Sequence, residues 1–206
     1  MDCKIGEIVA VKKVLLLALV ALAAWFFWPE AKANWKGMPA AHDPVQMTAS
    51  LPAPFKRGDY TITPLANYKV TAVVLSRETY GHDRESQLSP IDLALGWGPM
   101  SIAGVINELH ISQSGRWYEY RWSNEPPLKP DQIVSHSANT HCLPADDNVR
   151  TGLLAVKRHD LVTLEGYLVQ VDATDDWHWR SSLTRTDTGA HACEVFWITG
   201  VSRKPL

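Results

Sequence analysis

Three segments near the C-terminus constrain the fold most: "LVTLEGYLVQV" (161–171), "WHWRSSLTR" (177–185) and "CEVFWITGV" (193–201). Each is rich in β-branched or aromatic residues, and only polar turns at Asp175-Asp176 and Thr188-Gly189 part them. That pattern predicts three antiparallel strands in a meander. Gly166, inside the first of them, marks a bulge or sharp bend of the kind barrels use.

Upstream, "YKVTAVVLSRE" (68–78) reads as a strand buried on both faces, and "RWYEYRW" (116–122) as a strand with aromatics on both faces. A short helical turn is expected from Pro90 to Gly96, because proline suits a helix start and glycine its end. Ser101 is placed to cap a helix carrying Ile102, Val105, Ile106 and Leu109. Asp147 is placed to cap a third, with Val149, Leu153, Leu154 and Val156. The expected class is α+β: a small antiparallel sheet, in one form an OB-like barrel, with two or three short helices, preceded by an N-terminal apolar helix.

The 206 residues fit one modest domain plus appendages, and 46% hydrophobic residues supply a core of ordinary size. Three parts are expected: residues 1–33 as signal anchor or signal peptide, 34–59 as a linker, and 60–206 as a single globular domain. The linker reading rests on Pro39, Pro44, Pro52 and Pro54 in a stretch without helical or strand periodicity.

Lys12 and Lys13 precede the uncharged apolar run 14–28. Two readings stand. Ala31-Lys32-Ala33 supplies a small-x-small cleavage site for a secretory signal. Alternatively the run is a short anchor in the inner membrane, with Trp25 and Trp28 at the outer interface; the bulky aromatics before the cleavage site favour this one. Either places residues 34–206 outside the cytoplasm, membrane-attached or released to the periplasm. The net charge of −2, with no block of like charges, weighs against nucleic acid. The expected partner is an unknown protein or a cell-envelope ligand such as glycan.

The stretches "RETYGHDRESQLSPIDLALGWGPMS", "HSANTHCLPA" and "WHWRSSLTRTDTG" resemble those of a bacterial family of membrane-anchored hypothetical proteins, over most of residues 60–200. No activity attaches to that family. The resemblance implies an anchored extracytoplasmic domain and no catalytic residues.

The densest run of reactive side chains is "HSANTHC" (136–142), expected as a loop. His136 or His141 is a candidate general base, with Ser137, Ser181 or Ser182 as nucleophile and Asp160 or Asp187 as orienting carboxylate. No paired glycines of a nucleophile elbow surround these serines. A metal reading gathers His136, His141 and His191, with Cys142 and Cys193 as further ligands, but the spacing matches no zinc pattern, and no metal or cofactor is expected. Outside the cytoplasm a Cys142–Cys193 disulfide is expected instead, closing a loop of about 50 residues worth roughly 4 kcal/mol. A binding face is expected from Trp117, Arg121, Trp177, Trp179, Arg180 and Arg185 beside Asn139, since aromatics next to arginine stack on sugars or bases. Residues 82–85 ("HDRE") read as a solvated turn.

The function this favours is a binding or assembly-accessory domain. The alternatives are a metal-dependent or Ser/His hydrolase using 136–142, or a glycan-binding module. They are told apart by geometry. A hydrolase needs His136 or His141 within hydrogen-bonding distance of a serine, cysteine or carboxylate in a concave site.

Overall fold

The computed structural model describes residues 31–189 and 191–206; the expected N-terminal apolar helix and its charged flank lie outside them. Two short strands, β1 (Val45–Met47) and β2 (Phe55–Arg57), lead into the longest, β3 (Tyr60–Thr79). β3 is followed by β4 (Ile91–Gly96), α1 (Ala103–Asn107) and a hairpin of β5 (His110–Ser114) and β6 (Trp117–Arg121). Then come α2 (Pro130–Ser135), β7 (Ser137–Pro144) and α3 (Asp147–Leu154). The chain ends in β8 (Asp160–Ala173), β9 (His178–Arg180) and β10 (Glu194–Pro205).

Alternation along β3 explains its central place. Tyr68, Val70, Ala72 and Val74 point into one apolar cluster, and Val73 and Leu75 into another, so the strand is buried on both faces as its sequence predicts. It pairs antiparallel with β4 on one edge and with β8 on the other. β4 pairs with β7, β7 runs parallel to β10, and β10 lies antiparallel to β8. Hydrogen bonding therefore passes β3-β4-β7-β10-β8 and back to β3, a ring of strands in a mixed sheet. The main core fills the inside of this ring, where Leu93, Cys142, Leu164 and Phe196 meet Leu153 of α3. Outside it lie two further apolar clusters. One, around Val195 and Trp197, is covered by Trp177 and Trp179; the other, around Leu75, Ala94 and Ile133, is covered by Tyr118 and Tyr120 of the hairpin.

Several expectations are corrected by this architecture. Residues 91–96 are a strand with every residue buried, not a helical turn; pairing on both edges overrides the proline and glycine punctuation. Residues 137–142 belong to a buried strand, not a loop. The C-terminal strands form no meander: β9 and β10 do not pair with each other but lie one after the other on the edge of β8 away from β3, and β10 continues the ring to β7. The expected linker lies on the domain. Trp35 Nε1 donates to the Ser101 carbonyl, Gly98 N donates to Ala40 O, and β1 and β2 both pair with β3. Ala33–Leu206 accordingly forms one compact unit. The α3 cap is Asp146, whose carboxylate accepts from Val149 N, rather than Asp147.

Gly166 does mark a close approach. Its φ is +155°, and a Cβ there would stand 2.0 Å from the Trp197 carbonyl oxygen, beside the register shift between Ile198 and Gly200 of β10. Among the described residues no helix is long and apolar enough to cross a membrane.

Candidate active site

Asp92 interrupts the apolar strand β4, and strand parity decides where its side chain goes. Ile91 and Leu93 face the inside of the ring, so Asp92 faces out. Register places it directly opposite His141 of β7. The two side chains meet: His141 Nδ1 lies 2.9 Å from Asp92 Oδ2, and both residues are buried. β10 enters on the other edge of β7, with Glu194 opposite Thr140 and Val195 opposite His141. Cys193, just ahead of β10, is thereby set beside Asn139 and His141 on the outer face. Its half-buried thiol interacts with the His141 ring, and Asn139 Nδ2 reaches its Sγ at 3.7 Å. Cys193, His141 and Asp92 thus form a line across three neighbouring strands. Nucleophile, base and orienting carboxylate stand in that order in thiol and serine hydrolases.

Arg116 in turn holds the Asp92 carboxylate. The tip of the β5–β6 hairpin carries Arg116 at φ +69°, and its guanidinium enters the site. Nη1 donates to Asp92 Oδ1 at 2.8 Å, Nε and Nη2 clamp Asp83 at 2.8 and 3.0 Å, and Nη2 also reaches the Ser89 carbonyl. Tyr80 lies under the guanidinium, 4.0 Å from its carbon to the ring centroid. Burial opposes the Arg116 charge, and the Asp83 and Asp92 carboxylates more than offset it. Asp83 is held below the usual carboxylate range by Arg116. Within the 82–85 turn, Asp83 is therefore part of the support of the site, while His82 beside it stays exposed.

His141 feels opposed influences. Burial disfavours its charge, while hydrogen bonds to Asp92 and Cys193 and their negative charge favour it; the net effect is a ring pushed up to about 9. Trp179 packs on the ring at 4.7 Å between centroids, covering it from solvent. Asn139 is fixed from both ends. Its Nδ2 donates to the Arg116 carbonyl at 2.9 Å, and its Oδ1 accepts from Gln113 Nε2 at 2.7 Å.

The expected disulfide is absent: both Cys142 and Cys193 are free thiols. Strand parity is the reason. Cys142 follows His141 in β7 and so points into the ring, where it is fully buried and burial pushes its thiol up, while Cys193 lies on the outer face.

The structure brings together Asn139, His141, Trp117, Trp179, Arg180, His191 and Cys193 around two adjoining clefts. The other expected residues lie elsewhere or, as with Ser137 and Asp187 at the edge of the first cleft, are taken up in hydrogen bonds of the fold. His136 ends α2, its Nδ1 within 2.8 Å of the Gln132 carbonyl and its ring against Gly98. Ser137 Oγ donates to the Ile133 carbonyl. Arg185 pairs with Glu194 and Gln46 over the rings of Tyr68 and Trp97. Trp177 packs on Tyr60 under Arg84, and Arg121 sits opposite His110 on the outer hairpin. Ser181 Oγ accepts from Val195 N, and Ser182 Oγ binds Asp187 at 2.6 Å. Asp160 caps a turn at Lys157 and pairs with Arg203. His136 stands apart from His141 and His191, and among the described residues no group of three histidine, cysteine or acidic side chains could hold a metal ion.

Sequence reasoning missed Asp92 and Gln113, and saw Arg116 only as one arginine among aromatics. A signal for Asp92 was present, as a lone carboxylate inside "IDLALG". In a strand buried on both faces such a group needs dedicated partners. Family models, curated proteins and solved structures were all compared with the chain, and none matches it.

Proposed function

We propose that the domain is a thiol-dependent enzyme, in which Cys193 attacks a carbonyl carbon, His141 carries the proton and Asp92 orients His141. The observation that carries this reading is the Asp92–His141 hydrogen bond with the Cys193 thiol set beside the same ring, next to an open cleft. Paired to Asp92 through Nδ1, the ring presents Nε2 to the sulfur. The proton passes from Sγ to His141, and the thiolate adds to the carbonyl carbon as the C=O electron pair moves onto oxygen. Asn139 Nδ2, already directed at the sulfur, donates to that oxyanion. Collapse breaks the bond to the leaving amine or alcohol, which takes the proton from His141. Water then gives a proton to His141, adds to the thioester and releases the acid, restoring the thiol.

The strand ring supports the same reading. Counted from β3, its order is first, second, third, fifth, fourth, with α3 between the third and fourth strands. We read this as an OB-like barrel, a fold whose ligands lie on the second and third strands and on the loops joining first to second and fourth to fifth. Asp92 and His141 lie on those strands, and Cys193 ends the second of those loops. Fold analogy alone assigns no chemistry, and the triad carries that part. The basic start and the apolar run 14–28 support an anchored domain facing out of the cytoplasm. There Cys193 finds no partner within the domain, since Cys142 is sealed inside the ring.

Alkylation tests both parts. Iodoacetamide at pH 7 should modify Cys193 and spare Cys142, with His141→Gln slowing the reaction about tenfold or more. On intact cells a membrane-impermeant maleimide should reach the same residue. Equal rates in the wild type and His141→Gln would remove the enzymatic reading, and labelling only after lysis would remove the outward orientation.

A further inference from the structure

The thiol stands at the junction of two clefts of different character. The first runs between the β5–β6 hairpin, α2 and β7, and is walled by Trp117, Tyr118, Tyr120, Val134 and Ala138. The second holds His141, Trp179, Arg180 and His191. Cys193, Trp117 and Gly189 border both. Asn139 lines the first cleft and His141 the second.

That division assigns the two sides of the scissile bond. The group that protonates the leaving atom must lie beside it, so the leaving group occupies the cleft lined by His141. The acyl substituent, on the other side of the carbonyl, then falls into the first cleft, next to the oxyanion donor Asn139. Its walls are aromatic and aliphatic. Its volume is about 180 Å³, and an apolar cavity of about 150 Å³ holds one benzene molecule. Three polar side chains at its edge are already engaged: Tyr118 donates to Ser137 Oγ, Ser137 to the Ile133 carbonyl, and Asp187 accepts from Ser182. The Asp187 carboxylate also opposes an anionic acyl chain.

We propose that the substrates are amides or esters whose acyl part carries a single apolar group of about the size of a phenyl ring, attached close to the carbonyl. This rests on the thiol reading above, and the cleft beside Asn139 is the specificity pocket of that reaction.

The test compares three activated esters on the full chain: 4-nitrophenyl acetate, phenylacetate and hemisuccinate. Nitrophenol release and mass mapping follow acylation of Cys193, and each rate is divided by that of a small free thiol. The phenylacetate should lead the acetate by about tenfold or more, as burial of a ring predicts, and the hemisuccinate should trail both. Val134 is only half-buried on α2, so Val134→Trp should fill the cleft without disturbing the core; it should bring the phenylacetate rate down to that of the acetate. Equal normalised rates for acetate and phenylacetate, unchanged by Val134→Trp, would overturn the pocket assignment and leave the thiol reading standing. Acylation no faster than in His141→Gln for any ester would overturn both.

Discussion

Asn139 separates the thiol's reactivity from its catalysis. Alkylation by iodoacetamide displaces a halide and develops no oxyanion, whereas acylation develops one within reach of Asn139 Nδ2. Asn139→Ala should therefore lower the acylation rate by about 10²-fold while changing the alkylation rate little. The substitution also frees the Arg116 carbonyl and Gln113, at a stability cost of about 1–3 kcal/mol. Denaturation therefore accompanies the kinetics, so that unfolding is not read as lost catalysis. If both reactions fall together, Asn139 positions Cys193 rather than stabilising the oxyanion. The contrast with Ser137, two residues away, is instructive. Its hydroxyl donates to a helix carbonyl and is spent on structure, although sequence proximity to His136 made it look like a nucleophile.

At the scale of elements, the hairpin β5–β6 acts as a clamp. It belongs to no part of the ring, yet its tip delivers the guanidinium that fixes Asp92 and the carbonyl that fixes Asn139. Removing one partner of a buried ion pair strands the other charge, so Arg116→Ala should cost about 3 kcal/mol of stability. Arg116→Lys keeps a charge but cannot span both Asp83 and Asp92 in a fork. It should recover much of the stability and little of the Cys193 alkylation rate. Recovery of both in equal proportion would make Arg116 a structural residue only. The two strands that carry the site were also the least legible in the sequence, for a physical reason. β7 turns Asn139 and His141 outward for chemistry and so loses the β-branched signature of a strand, and "HSANTHC" looks like a loop. In β4, Asp92 breaks the alternation, and Pro90 and Gly96 imitate helix punctuation. Strands without chemistry read as strands, β8 nearly to its bounds and β3 over 68–78 of its span.

For the whole molecule, the ring explains both what the sequence hid and how stability should follow pH. The parallel pairing of β7 with β10 joins segments about fifty residues apart and leaves no local mark, so the expected meander and the expected disulfide failed together. That pairing also puts neighbouring residues on opposite faces: Cys193 outside, and Glu194 inside the ring against Arg185. Burial pushes the Glu194 carboxyl up to about 8, with Arg185 opposing. An acid raised in the folded state holds its proton longer than in the unfolded chain, so folding weakens as pH climbs from 4.5 to about 8. His141, raised from 6.5 to about 9, contributes stability that is complete below 6.5 and lost as pH rises through about 9. Both effects have the same sign between 6.5 and 8, where stability should fall most steeply. On the acid side the lowered Asp83 acts in the opposite sense, adding stability above 3.8 that is lost on acidification. Urea denaturation across this range should therefore place the maximum at about pH 4 to 4.5. Glu194→Gln mimics the protonated acid and should remove the decline from 4.5 to 8, leaving only the part due to His141. His141→Gln should do the converse, flattening the curve above 8 and sparing the decline below 6.5. Curves for the two variants that run parallel to the wild type would mean that neither group holds its proton as its surroundings in the ring require.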